Sequence, residues 1–158
     1  MKKLAKILSS ILLLSTLNNF AWAQSVDGVV SLVKIIRTDM ENDAIKTLSI
    51  INKREQQYKD SENKSLYVFI IDDNNTIVAH GYKPERVGVN MNGEKDSNGK
   101  EYALEIYNKA MTYKSGWSDY VYTDPNTGKD SNKLSYFEQV KGSDGKIYIV
   151  GSGLYYDK

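Results

Sequence analysis

Cysteine is absent from this 158-residue sequence, which excludes a disulfide framework, a thiolate zinc site, a cysteine nucleophile and c-type haem attachment. Histidine occurs once, as His80, so one chain holds no multi-histidine metal site. Proline occurs twice and glycine shows no period, which rules out a fibrous protein. Charge of either sign is scarce in excess: the formal net charge is +1, leaving no basic footprint for nucleic acid. At 41% hydrophobic residues the chain is too apolar for disorder, and its length suits one modest domain. What is plentiful is tyrosine. Twelve tyrosines lie between Tyr58 and Tyr156, and such rings build either a core or the wall of a polar pocket.

The first segment reads as an address rather than a fold. Met1-Lys2-Lys3 and Lys6 form a basic start, Ile7 to Leu17 is mostly apolar, and Ala21-Trp22-Ala23 has the small-x-small pattern of a cleavage site. Residues 1–23 are therefore predicted to be a secretory signal peptide cut near Ala23. Asn18 and Asn19 hold the apolar run below the roughly 20 residues of a spanning helix. Cleavage leaves 135 residues and removes three lysines and no acid, so the charge moves from +1 to −2. The expected product, residues 24–158, is an exported, periplasmic or secreted domain.

Within it, residues 24–60 carry helical spacing. Val29, Val30, Leu32, Val33 and Ile36 form one stripe, and Ala44, Ile45, Leu48 and Ile51 another. Thr38-Asp39-Met40-Glu41 between them reads as a capping box, predicting a break near Arg37–Asp39 and two helices. Lys53 to Lys64 is a polar connector. Residues 65–158 form the sheet core. Leu66 to Ile71 and Thr76 to His80, joined by Asp72-Asp73-Asn74-Asn75, predict a hairpin. Gly81 to Gly99 is a long loop of the kind that serves as a lid or binding loop. Ala103, Ile106, Tyr107, Ala110 and Met111 have helical spacing, ending near Ser115-Gly116. Three strands follow, at 117–123, 134–141 and 146–154. The fold class is α+β, one five-stranded antiparallel sheet with helices on it and one helix between strands 2 and 3.

Several phrases, in order, resemble the single Cache domain of type 2, a sensor module of bacterial chemoreceptors and histidine kinases. They are Tyr67-Val68-Phe69-Ile70-Ile71-Asp72, Val78-Ala79-His80, Pro84-Glu85-Arg86-Val87-Gly88-Val89-Asn90, Gly116-Trp117-Ser118-Asp119-Tyr120, Pro125-Asn126-Thr127-Gly128-Lys129, Lys133-Leu134-Ser135-Tyr136 and Gly151-Ser152-Gly153-Leu154-Tyr155. Gly81 and Asn132 stand where the family usually has proline, and the first hairpin turn lacks the usual glycine. The resemblance implies a PAS-like sheet and a free-standing, secreted form of the domain.

It also implies a pocket. Lys133, otherwise an ordinary exposed strand-edge lysine, looks like the position that meets a ligand's carboxylate or carbonyl by a charge-assisted hydrogen bond. Strand alternation sends Trp117, Asp119 and Val121 to one face and Ser118, Tyr120 and Tyr122 to the other. Tyr120 and Tyr107 resemble pocket tyrosines, with Trp117 as a core or pocket-wall aromatic and Tyr122 and Ser135 beside them. His80 resembles a rim histidine whose titration near neutrality makes binding pH-dependent, or else is structural. Met91 closes over the ligand or stays an exposed loop residue.

Catalysis has little support. Ser152 does not fit the Gly-x-Ser-x-Gly elbow, and His80 has no spaced triad partners. Asp124, Asn126, Gly128 and Asp130 alternate like a calcium loop but lack its closing glutamate, and turn chemistry accounts for them. No metal and no cofactor are expected. The leading expectation is a non-enzymatic periplasmic protein that binds a small organic acid or a similar small polar metabolite, a short carboxylate above all and urea-like amides or amino acids after it. It would present that ligand to a membrane receptor or transporter, or dimerise through its N-terminal helices. The competing expectation is an interaction or structural protein with a degenerate pocket, and a small hydrolase using His80 is a distant third.

Overall fold

The computed structural model describes residues 26–54, 58 and 63–156. The predicted leader at 1–23, its cleavage site and most of the 53–64 connector lie outside the described residues. Among those described, no helix is long and apolar enough to cross a membrane.

The first helix, α1 (Val26–Asn52), is continuous through the predicted break. Thr38 does not cap a helix: its hydroxyl donates to the Lys34 carbonyl one turn back, and Glu41 pairs with Arg37 at 2.8 Å. The irregularity falls instead at Asp43, with φ −154° and ψ 86°. Asp43 is the better cap, its carboxylate accepting the Lys46 N–H at 3.0 Å. The kink frees the Met40 carbonyl and the Ala44 amide. Ser143, from a distant turn, meets both, donating its N–H to Met40 and accepting from Ala44 with its hydroxyl. Past the kink the buried face is Ala44, Thr47, Ile50 and Ile51, so Ile45, read as part of the stripe, stands 72% exposed.

The remaining elements are β1 (Val68–Asp72), β2 (Ile77–His80), a 3₁₀ turn (Pro84–Arg86), α2 (Tyr102–Tyr113), β3 (Ser115–Thr123), β4 (Asp130–Lys141) and β5 (Ile147–Tyr156). The strands form one antiparallel sheet in the order β2-β1-β5-β4-β3, the α+β, PAS-like arrangement expected. Period-two alternation then divides the sheet into two faces. Val68, Ile70, Val140, Tyr148 and Val150 pack on α1, while Phe69, Ile71, Phe137 and Ile149 pack on α2. A bulge between Ile70 and Ile71 shifts β2, pairing Ile71 with Ile77 and turning both side chains to the α2 face.

The hairpin turn does without glycine because Asn75 takes the left-handed conformation at φ 57°, which asparagine tolerates. Asp72 closes the turn by accepting the Asn74 and Thr76 N–H groups, both at 2.9 Å. The 81–99 loop does not hang free. Gly88, Val89 and Met91 exchange backbone hydrogen bonds with Ile77 and Asn75, covering the outer edge of β2. α2 ends on Lys114, left-handed at φ 71°, and Ser115-Gly116 already belongs to β3.

Candidate functional site

Between the α2 face of the sheet and the 81–99 loop lies a partly open cavity, whose empty space with the solvent at its mouth comes to about 420 Å³. β1 contributes Tyr67 beside its start, then Phe69 and Ile71; Asn75 and Ile77 follow, then His80. Met91 comes from the loop, Tyr102, Ala103 and Ile106 from α2, Tyr120 and Tyr122 from β3, and Lys133 from β4.

Lys133 is the chemical centre. It sits inside β4 rather than at a strand edge and is 1% exposed. Its Nζ donates to the Tyr67 hydroxyl at 2.7 Å. Five rings surround it, with centroids 4.0 Å (Tyr67), 5.2 Å (Tyr155), 5.4 Å (Tyr122), 5.6 Å (Phe69) and 5.9 Å (Tyr120) away. Among the described residues no carboxylate is ion-paired with it. Burial, helped by the charge of Lys83 and opposed by Asp124, holds its amine well below the usual lysine range. Removing a cation from water costs several kcal/mol, and aromatic faces return only about 0.5–2 kcal/mol. An anion bound at Nζ would offset that cost.

The hydrogen bonds behind Lys133 have a fixed direction. Tyr155 donates its one proton to the Thr123 carbonyl at 2.9 Å, so across the 3.0 Å contact between the two phenols it accepts from Tyr67. Tyr67 in turn accepts from Lys133. Close packing on β5 makes room for this group. A Cβ on Gly153 would lie 2.8 Å from Lys133 Cε and 2.5 Å from Ser135 Oγ, and one on Gly151 would strike the Phe69 ring. Ser152 between them faces away, donating to the Tyr67 carbonyl at 2.8 Å.

The other residues singled out from sequence divide. Tyr120 and Tyr122 line the cavity, and Ser135 stands one step behind, hydrogen-bonded to the Tyr120 hydroxyl at 2.9 Å. Met91 lines it as well, buried rather than exposed. Arg86 fixes that loop residue, donating to Met91 Sδ at 2.8 Å while holding Glu94 through its two terminal guanidinium nitrogens. Trp117 is a correction. Alternation turns it to the α1 face, where it packs 5.0 Å from Tyr136. Tyr107 is another, because its hydroxyl donates to the Asp73 carbonyl at 2.7 Å on the outside of the hairpin. His80 lines the cavity and stacks on Tyr67 at 5.1 Å. Its Nδ1 accepts the Tyr82 and Lys83 N–H groups, at 3.2 and 2.9 Å. Burial first, then the charge of Lys133, lowers its pKa to about 3, so it is neutral near pH 7 and is no switch there.

Sequence reading missed Tyr67 and Tyr155 as partners of Lys133, and missed Phe69, Ile71, Asn75 and Tyr102 as cavity walls. The alternation of Tyr67, Phe69 and Ile71 was visible in β1; the pairing that brings Tyr155 beside Tyr67 was not. The calcium-like run resolves into a turn, with Asp124 accepting from the Ser65 hydroxyl and the Asn126 N–H. Among the described residues no group of three His, Cys, Asp or Glu side chains is placed to hold a metal ion.

Comparison with known proteins agrees with this fold. The profile of the family Single Cache domain 2 matches residues 14–158. A periplasmic sensor domain of a chemotaxis protein superposes with a TM-score of 0.61 at 25% identity, over 83% of this chain and 90% of that one. A methyl-accepting chemotaxis protein from Vibrio parahaemolyticus RIMD 2210633 gives 0.61 at 21%, over 81% of each chain. A Cache chemosensory domain described for its carboxylic acid recognition gives 0.59 at 21%, over 83% and 86%. No curated protein matches the sequence. A five-stranded sheet of this order, and a family match spanning nearly all of the chain, lead to one assignment: this chain belongs to the single Cache domain 2 family.

Proposed function

We propose that this protein is a periplasmic sensing domain that binds a small organic acid, with Lys133 as the carboxylate anchor. One observation carries the reading: a lysine 1% exposed, ringed by five aromatic side chains, with no ion-paired carboxylate among the described residues. A charge-assisted hydrogen bond from Nζ to a carboxylate is about twice as strong as a neutral one and offsets the cost of burial. The rings of Phe69, Tyr120 and Tyr122 beside Nζ limit the size of the acid. The structure similar to this chain that is described for carboxylic acid recognition supports the same ligand class. The loaded protein would present its state to a membrane receptor or transporter, and the exposed Ile35 and Ile45 of α1 offer a surface for a second copy.

The test is thermal unfolding of the 24–158 protein with a panel of short carboxylates, amides and amino acids. An acid at a hundred times its dissociation constant adds about 2.7 kcal/mol. Stabilisation by carboxylates alone, lost in Lys133→Met, is the expected result. A flat response across the panel overturns the reading and leaves a degenerate pocket.

A further inference from the structure

A second lysine shares an aromatic ring with Lys133. Lys83 follows β2, and its N–H donates to His80 Nδ1 at 2.9 Å, while the carbonyl of Tyr82 before it accepts from Arg54 at 2.8 Å. The segment is thus pinned beside a residue of the cavity wall. From there the half-buried Lys83 side chain reaches Tyr122 of β3, another wall residue, with Nζ 4.8 Å from the ring centroid. Lys133 Nζ lies 5.4 Å from the same centroid. Measured through that centroid, the two ammonium groups lie within about 10 Å of each other, the screening length at about 0.1 M salt. After burial, the charge of Lys83 is the next cause of the low Lys133 pKa, as repulsion at this range requires.

The protein's own carboxylates leave this pair of cations unmet. Among the described residues Lys83, like Lys133, is in no ion pair. Arg86 takes Glu94, Glu85 is exposed, and Asp124 is engaged by the Ser65 hydroxyl and the Asn126 N–H. Tyr102, edge-on to Tyr122 with centroids 6.1 Å apart, adds a buried hydroxyl without a partner. The unmet groups around this one ring are therefore two ammoniums and a hydroxyl, all able to donate. Acceptors carrying negative charge satisfy them, and one carboxylate brings one charge to two cations.

We propose that Lys83 is the second cation of the acid site, and that the ligand is a short dicarboxylate with one acid group on Lys133 and the other on Lys83. The proposal rests on Lys133 being the carboxylate anchor. With hydrogen bonds of about 2.8 Å at either end, a dicarboxylate of roughly three to five carbons fits between ammoniums this close. Lys133 is held among its rings, whereas Lys83 stands on a flexible stem at the rim and adjusts to the length. A monocarboxylate leaves Lys83 without a counter-charge.

Titration calorimetry of matched pairs tests this, comparing propionate with malonate, butyrate with succinate, and pentanoate with glutarate. At the best length the dicarboxylate binds at least about tenfold tighter than the monocarboxylate. In Lys83→Gln, which keeps the backbone bond to His80, that ratio falls to roughly threefold or less. Lys83→Arg keeps the charge and keeps the preference. Equal affinities within every pair, a preference for the monocarboxylates, or a ratio unchanged in Lys83→Gln overturns the proposal and leaves the Lys133 anchor standing. Lys133→Met separates the two cations, because it removes binding of both members of each pair rather than the ratio between them. Binding of no acid by the wild type overturns the anchor reading and this proposal together.

Discussion

Lys133 Nζ lies 2.7 Å from the Tyr67 hydroxyl and 4.0 Å from the centre of the same ring. One side chain thus gives Lys133 both an acceptor and a π-face. Neither replaces a counter-ion: the phenol is neutral, burial raises its pKa well above the ordinary value, and it already donates to Tyr155. The free protein therefore carries a destabilising group at its centre, held by packing around it, and such groups concentrate at functional sites.

Lys133→Met follows directly. Methionine keeps the unbranched stem among the same rings and removes the buried amine, so the ligand-free protein gains about 1–3 kcal/mol. Thermal or urea unfolding reads this gain, and the same variant shows no stabilisation by any short acid. A variant less stable than wild type would mean that the Tyr67 hydrogen bond outweighs the cost of burying the amine.

Acid binding should take up protons. The pKa of Lys133 is held down in the free protein, and a carboxylate against Nζ raises it. Binding therefore draws a proton from solvent, and affinity weakens as pH rises through the free-state value. Calorimetry in buffers of different ionisation enthalpy measures the number directly. Binding with no proton exchange and no pH dependence between pH 6 and 9 would show that Lys133 is already charged.

His80 sets the acid side of the stability profile. Its folded pKa is lowered to about 3 from 6.5, so below pH 6.5 the unfolded chain binds a proton that the folded one refuses. Stability then falls with falling pH, by up to about 1.4 kcal/mol per unit for this one group. Asp96 and Glu105, with pKa values lowered from 3.8 and 4.5, titrate further down, and buried Lys133 adds to the slope with the same sign, so the His80 part is read as the difference between wild type and variant. Glutamine at position 80 supplies an acceptor for the Tyr82 and Lys83 amides without titrating, so His80→Gln lowers the slope below pH 6.5.

The order of elements was legible in the sequence because each strand alternates and each turn has its own residues. The cavity was half legible. Alternation placed Tyr120 and Tyr122 on one face and Trp117 on the other, but nothing in β3 says which face α2 covers. Tyr107 shares the helical spacing of Ile106, yet 100° of rotation carries its hydroxyl out to Asp73. The kink at Asp43 was hidden because Ser143, which satisfies it, is a hundred residues away in sequence. Gly81 has a local reason that appears only in three dimensions: its N–H donates to the Val68 carbonyl at 2.9 Å, a bond proline lacks.

Gly153→Ala tests whether β5 is shaped around the anchor. The added methyl would lie 2.7 Å from the Leu134 carbonyl and 2.8 Å from Lys133 Cε, and real Cβ atoms do not approach backbone so closely. Cε sits at the end of a flexible stem and moves, but the carbonyl belongs to the β4–β5 ladder, where Gly153 pairs with Ser135. The strand therefore shifts and the Lys133 stem swings from the Tyr67 hydroxyl. Overpacking of this kind costs about 1–3 kcal/mol. Acid affinity should fall by more than the loss of stability alone explains, since a folded protein with a displaced ammonium still binds poorly. Calorimetry well below the melting temperature separates the two effects, and unchanged affinity in the folded variant would show that Gly153 serves the sheet and not the anchor.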